Sequence, residues 1–340
     1  MTVETVRHRR KPSEKKRRLR IALIAMGSVL VLLLGSVGVY AFILSQQFNG
    51  VERIVEAFPE ESLRPPVAVT EGPAPQNILL LGSDSRGSIG TNIDKIKGTR
   101  SDTMMVVHIS GDRKSIQVMS LMRDFWVDIP GRGMAKLNAA MAYGGIPLTV
   151  QTIEGIIDSR IDHVAMVDFE GFKDITDALG GVTVNNPQAF SSSGGKRYPY
   201  AEGKITLNGD QALPFVRERY AFTDGDYSRV ANQQLFIKAV MAKVLSKETL
   251  TNPAKISNLV GAVAPYMAVD EGLNSAYAVA LGLEMRDIRV SNVKFFTMPS
   301  LGTGMEGKQS VVKVNWDEVP KIQKAFKDDT LDSYTPPPKP

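Results

Sequence analysis

No cysteine occurs among the 340 residues. Disulfides, thiol nucleophiles and cysteine-based zinc sites are thereby excluded, and any folded domain must rest on its apolar core alone. Histidine is nearly as scarce. His8, His108 and His163 form no metal-spaced pair, and no G-x-S-x-G elbow is present. Both absences argue against a Ser-His-Asp hydrolase. Charge is lacking from most of the chain when summed. Residues 1–20 hold nine Lys/Arg against Glu4 and Glu14, a net +7, whereas the whole chain is +5, so the other 320 residues carry −2. A basic tail beside a near-neutral body is not the footprint of a nucleic-acid groove, and no nucleic-acid partner is expected.

Charge is wholly missing between Ile21 and Leu44, a run rich in Leu, Val, Ile and Ala. At about 1.5 Å per helical residue this run spans roughly 36 Å, enough for a hydrocarbon core of about 30 Å. It is longer than the apolar region of a signal peptide, and Ser45-Gln46-Gln47-Phe48 offers no A-x-A cleavage site. An uncleaved single-pass anchor is therefore expected at 21–44. The basic cluster on its N-terminal side places residues 1–20 in the cytoplasm and residues 45–340 outside the cell membrane. The basic tail also suits anionic lipid headgroups.

The five prolines between Pro59 and Pro75 suggest an extracellular stalk over 45–75, with one short helix at Val51–Phe58. The proline-rich end, 331–340, reads as a disordered tail. The 43% hydrophobic content supports a real core, and between them residues 76–330 alternate strand-like and helix-like runs. Asn77–Leu81, Thr103–Ile109, Ile116–Leu121, His163–Asp168, Gly181–Val184 and Val290–Thr297 read as strands. Pro147–Asp158, Phe172–Leu179, Tyr227–Leu245, Ile256–Met267, Asn274–Met285 and Asp317–Lys327 read as helices. The expectation is an α/β fold: a sheet covered by helices on both faces, with Ile78–Leu81 in a central strand.

Five polar clusters stand out against this apolar pattern. Asp84 follows one strand (Gly82–Arg86) and Asp102 precedes another (Gly98–Thr103). If those strands are neighbours, the two carboxylates could share Mg²⁺, which favours few carboxylates, water and phosphate; otherwise they stabilise turns. Arg123 ends a third apolar strand, to be paired by Asp124 or by a bound phosphate. Arg217 and Arg219 are two residues apart; Pro214 and the alternation favour an extended segment, with both guanidiniums on one face as a pyrophosphate clamp. Asp226 fits a helix N-cap. Arg229 and Gln233 then share one helix face that continues into Phe236 and Val240. A polar patch opening onto an apolar stripe suits an amphiphile with a charged head, although an ordinary amphipathic helix would read the same. Gly302–Lys308 imitates a phosphate-binding loop, but Gln309 replaces its Ser/Thr and Val311–Val314 reads as strand where a helix is required.

In this order the clusters resemble the LytR–CpsA–Psr family of cell-wall glycopolymer transferases. The resemblance runs from about Gln76 to Leu245. It is carried by Asn77–Arg86, Arg100–Thr103, Leu121–Asp124, Lys136–Asn138 with Tyr143–Gly145, Val167–Phe172, Gly180–Val182, Leu207–Leu213, Arg217–Arg219 and Asp226–Gln233. It implies an α-β-α sandwich with a central mixed β-sheet and a hydrophobic tunnel for a polyprenyl chain. It further implies a phosphotransferase that moves a glycopolymer from a polyprenyl-pyrophosphate carrier to peptidoglycan or another wall glycan and releases polyprenyl phosphate. By resemblance, Asp84 and Asp102 hold Mg²⁺ (or Mn²⁺). Arg100, Arg123, Arg217, Arg219, Arg229 and Gln233 match the pyrophosphate-binding set, with Arg100, Arg123, Asp84 and Asp102 the catalytic group. Met122 stands where the family usually has Pro, Asn232 where it usually has Arg, and residues 87–98 look like an added loop. A lipid-pyrophosphate hydrolase and a non-enzymatic envelope regulator that binds polyprenyl phosphate are the alternatives. Teichoic acid, capsule and arabinogalactan all remain open as the polymer.

Overall fold

The computed structural model describes residues 42–43, 45–67, 72–83, 101–250 and 252–339. Asp84, Arg100 and the 87–98 loop lie outside them, as does the expected anchor apart from Phe42 and Ile43, which are helical; Asp102 is described in its backbone only. Among the described residues no helix is long and apolar enough to cross a membrane. Two compact units divide the chain, 1–46 and 47–340.

In chain order the elements of the second unit are β1 (Glu52–Ile54), β2 (Gln76–Ser83), β3 (Ser101–Ile109), β4 (Ile116–Leu121), β5 (Phe125–Ile129), β6 (Gly133–Lys136), α1 (Ala139–Ile157), β7 (His163–Asp168) and α2 (Phe169–Ala178). Four short strands come next, β8 (Val182–Asn186), β9 (Phe190–Ser191), β10 (Pro199–Tyr200) and β11 (Gly203–Leu207), then α3 (Gly209–Arg217), α4 (Asp226–Val244), α5 (Lys247–Leu250) and α6 (Pro253–Val263). The chain closes with β12 (Met267–Asp270), α7 (Ser275–Glu284), β13 (Val293–Thr297), β14 (Ser300–Glu306), β15 (Gln309–Val314) and α8 (Val319–Lys327).

Seven strands form the main sheet in the order β1-β12-β7-β2-β3-β4-β13. It is mixed: β2 runs parallel to β7 and antiparallel to β3. Side chains alternate between its faces, so each strand supplies two cores. Leu79, Leu81, Met104, Val106, Met119, Leu121, Val164 and Met166 pack toward Val150 and Ile153 of α1 and Ile322 and Phe326 of α8. Ile78, Leu80, Met105, Val107 and Val118 pack with Ile237 and Met241 of α4 and Leu281 of α7. This is the expected α-β-α sandwich. At about 1.5–3 kcal/mol for each large apolar side chain fully buried, both faces of β2 and β3 contribute. A second, four-stranded sheet, β14-β15-β5-β6, lies outside the sequence expectations except at Val311–Val314.

Three expectations need correction. Val51–Phe58 is not a helix: Glu52–Ile54 is a strand parallel to β12, with Val51, Ile54 and Ala57 buried. Part of the presumed stalk is thus the edge of the sheet, because its apolar residues find a core face there. Likewise the presumed tail begins packed, with Leu331 buried and the Tyr334 hydroxyl donating to Glu318 at 3.1 Å. Finally, the helix expected from Pro147 begins at Ala139, with a kink at Gly144 and Gly145 that accommodates the proline.

Candidate functional site

The β2–β3 hairpin brings Ser83 opposite Ser101 and Gly82 opposite Thr103, with a register shift between the two pairs. β2, whose last residue precedes Asp84 in the sequence, and β3, which includes Asp102, are therefore neighbours. Thr103 and Gly82 also open onto a cavity of about 820 Å³, toward the upper end of the roughly 300–1,000 Å³ usual for ligand pockets. Its floor is apolar, built from Leu80 and Met105 of the sheet, Phe172 of α2, and Phe236, Ile237 and Val240 of α4.

Four of the expected guanidiniums line this one cavity, those of Arg123, Arg217, Arg219 and Arg229, and so does Gln233. Arg123 comes just after β4, behind the fully buried Met122. Its nitrogen approaches Asp124 only to 3.8 Å, while Lys136 meets the same carboxylate at 3.1 Å. Asp124 is thus chiefly held by Lys136, and the distance to Arg123 is too long for a hydrogen bond.

Arg217 and Arg219 do not lie on a strand. Asn208 and Gln211 form a reciprocal capping box that starts α3, and the helix runs through Pro214 to Arg217. That cap outweighs the single backbone donor that proline removes. Glu218 is extended (φ −65°, ψ 133°), and this turn in the chain keeps both guanidiniums on the cavity. Arg217 lies 4.2 Å over the Phe169 ring. Gly209, the first residue of α3, lets the helix touch α2: a Cβ there would stand 2.6 Å from the Lys173 carbonyl oxygen.

Asp226 is not the N-cap of α4; Gly225 is, and Asp226 is the first helical residue. Its carboxylate turns inward to accept from Arg229 Nη2 at 2.7 Å, with both side chains over nine-tenths buried. Burial pushes the Asp226 carboxyl above its ordinary value, against the pull of Arg229 and with reinforcement from Asp124. Arg229, Gln233, Phe236 and Val240 do form one stripe, polar at the mouth and apolar inside. Asn232 is buried and donates to the Phe215 carbonyl oxygen at 3.4 Å, so the unusual residue of this motif braces α4 against α3.

Glu218 was missed by sequence reasoning, which saw only the arginines beside it. It is 3% exposed. Oε1 accepts from the backbone amides of Arg219, Tyr220 and Ala221 at 2.8–3.0 Å, and Oε2 from Ser193 N at 2.5 Å. The Ser193 hydroxyl adds a 2.9 Å bond. Burial alone would raise this carboxyl, but the amides of Ser193, Ala221 and Tyr220 hold it below the ordinary glutamate value. One carboxylate therefore pins two loops, 192–195 and 219–221, that line the cavity mouth. Lys173 and Lys196 add cations there. Lys173 directly follows the Val167–Phe172 segment, whereas Lys196 carried no sequence signal.

The arrangement is a grease-lined cavity with a cationic rim, fit for an amphiphile with an anionic head. The LytR_cpsA_psr family model matches residues 44–328. The chain is 33% identical over 310 residues to the polyisoprenyl-teichoic acid–peptidoglycan teichoic acid transferase TagU of Enterococcus faecalis, covering 91% of this chain and 96% of that protein. It is 41% identical over 192 residues to the TagU of Oceanobacillus iheyensis, covering 54% and 56%. The crystal structure of Bacillus subtilis TagV superposes with a TM-score of 0.65 at 25% identity, over 78% of this chain and 99% of that one.

Proposed function

Because this chain belongs to the LytR_cpsA_psr family, we propose that it transfers a glycopolymer from a polyprenyl-pyrophosphate carrier to peptidoglycan, leaving a phosphodiester link and releasing polyprenyl phosphate. The relatives' teichoic acid transferase names support the reaction class. The observation that carries the donor assignment is the convergence of Arg123, Arg217, Arg219 and Arg229 on the mouth of one apolar cavity. The hydrocarbon chain lies among Phe172, Phe236 and Val240, and the two phosphates lie among the guanidiniums. Arginine suits this place because it stays charged and binds phosphate oxygens in pairs.

A wall-sugar hydroxyl attacks the sugar-side phosphorus, and the bond to the bridging oxygen breaks. Positioning and charge neutralisation supply the catalysis, with no covalent intermediate on the protein. Asp84 and Asp102 would hold Mg²⁺, consistent with the paired strand ends that precede and carry them. The ion would offset phosphate charge alongside the arginines. Residues 21–44 would anchor the chain, with 1–20 cytoplasmic and the domain outside.

The test is reconstitution in detergent with lipid-linked polymer, peptidoglycan and Mg²⁺, with and without chelator. Polymer bound to peptidoglycan and polyprenyl phosphate should appear in equal amounts, and chelation should stop both. Released polymer phosphate with none attached would make the protein a hydrolase. Donor binding without turnover would make it a regulator.

A further inference from the structure

A second cavity, of about 390 Å³, adjoins the first. Its walls are Asp124, the 223–226 turn, Tyr227, and the β14–β15 hairpin at Thr303 and Ser310. Arg219 belongs to both cavities. Elsewhere acid–base pairs divide them. Arg229 lines the donor cavity, and its ion-pair partner Asp226, 2.7 Å away, lines the second. Arg123 lines the donor cavity, and the adjacent Asp124 lines the second. Each pair thus gives its cation to one side and its carboxylate to the other.

Asp226 is the more telling acid. Its side chain is over nine-tenths buried, Oδ2 accepts from Arg229, and Oδ1 has no hydrogen-bond partner among the described residues. A buried acceptor without a donor is rare, and it leaves this carboxylate with acceptor capacity that Arg229 does not use. Among its lining residues the three carboxylates Asp124, Asp224 and Asp226 outnumber the two cations Arg219 and Lys339, which disfavours a second anion. A neutral polyol fits: the walls offer the hydroxyls of Thr223, Thr303 and Ser310, three carboxylates, and the Tyr227 ring.

We propose that the 390 Å³ cavity receives the acceptor glycan and that Asp226 takes the proton of the attacking hydroxyl. The proposal rests on the transferase reading above. The hydroxyl oxygen bonds to the sugar-side phosphorus as its proton passes to the Asp226 carboxylate, and polyprenyl phosphate departs into the donor cavity with the bridging oxygen. A base must sit on the nucleophile's side of the phosphorus, and Asp226 does so without displacing the arginine that faces the donor. Its raised pKa, with Asp124, Arg123, Arg219 and Arg229 as the surrounding charges, moves it toward the range useful to a general base.

The experiment uses the full chain in detergent micelles, a short-chain polyprenyl-pyrophosphate donor and a soluble uncrosslinked peptidoglycan glycan. Thr303→Trp, at an exposed hairpin position, should raise the acceptor KM at least about 10-fold and leave donor Kd within about 2-fold. Asp226→Asn should lower kcat by about 10²–10⁴-fold and remove the acidic limb of the kcat–pH profile, and Asp226→Glu should restore that limb. An unchanged acceptor KM in Thr303→Trp overturns the site. Retention of the acidic limb in Asp226→Asn, or loss of donor affinity in step with kcat, overturns the proton role and leaves Asp226 a support for Arg229. Glycan binding is also read directly by saturation-transfer NMR. If wild type binds glycan, Thr303→Trp does not, and no transfer occurs, the acceptor site stands and the transferase reading fails.

Discussion

Replacing Glu218 by glutamine changes one atom and should loosen both loops at the cavity mouth. The carboxylate now satisfies four backbone amides and one hydroxyl. Glutamine keeps one oxygen, which the amides of Arg219, Tyr220 and Ala221 would claim. Its NH₂ then faces Ser193 N–H, donor against donor. Leaving that buried amide unsatisfied costs about 1–3 kcal/mol, and the three remaining bonds lose their charge assistance, roughly half their strength. The local penalty is about 3–5 kcal/mol, most of it borne by the loops because the sandwich core does not involve Glu218. Amide exchange at 192–195 and 219–221 should accelerate at least about 100-fold, with donor Kd weakened by about 10-fold or more. The pH response has a definite sign. A depressed carboxyl stabilises fully above its unfolded value, about 4.3, and loses that contribution as pH falls through the lower folded value. Wild-type loop protection should therefore persist from pH 7 down to about 5 and fail in stronger acid. Native protection and donor affinity in Glu218→Gln would refute the reasoning.

Other expectations rest on the same geometry. Arg217→Ala or Arg219→Ala should abolish transfer with the fold intact by circular dichroism, and Arg217→Lys should recover little because a point charge cannot bind two oxygens at once; wild-type rates would remove the clamp. Gly209→Ala should cost about 1–3 kcal/mol by pushing α3 off α2, seen as a fall of several degrees in melting temperature with weaker donor binding. Val240→Trp should fill the apolar end of the cavity, weakening long-chain donors while sparing a donor with a one-isoprene tail; equal loss for both would place the chain elsewhere.

Much of this site was legible because its parts are local. Ile78–Leu81 announces a central strand by four consecutive apolar residues, and the run from Arg229 to Val240 announces an amphiphile's face by helical spacing. Those patterns depend on neighbours within one element. The errors arose where distant partners decided the outcome. Glu52–Ile54 is a strand only because β12 offers it an edge. Arg217 and Arg219 meet the cavity through a helix end and an extended Glu218, an outcome set by the Asn208 cap rather than by Pro214. Glu218 itself carries no motif of its own; its role depends on Ser193, 25 residues earlier. The Gly302–Lys308 segment, set aside as an imitation phosphate-binding loop, belongs to the β14–β15 hairpin, which walls a second cavity.

The most direct test of the central claim is to identify what the native protein carries when purified in detergent from the cells that make it. Native mass spectrometry of the detergent-solubilised chain should find a polyprenyl phosphate or pyrophosphate bound to wild type and absent from the Arg217→Ala/Arg219→Ala double variant. Ordinary phospholipids alone, or the same polyprenyl lipid retained undiminished without the two arginines, would contradict it.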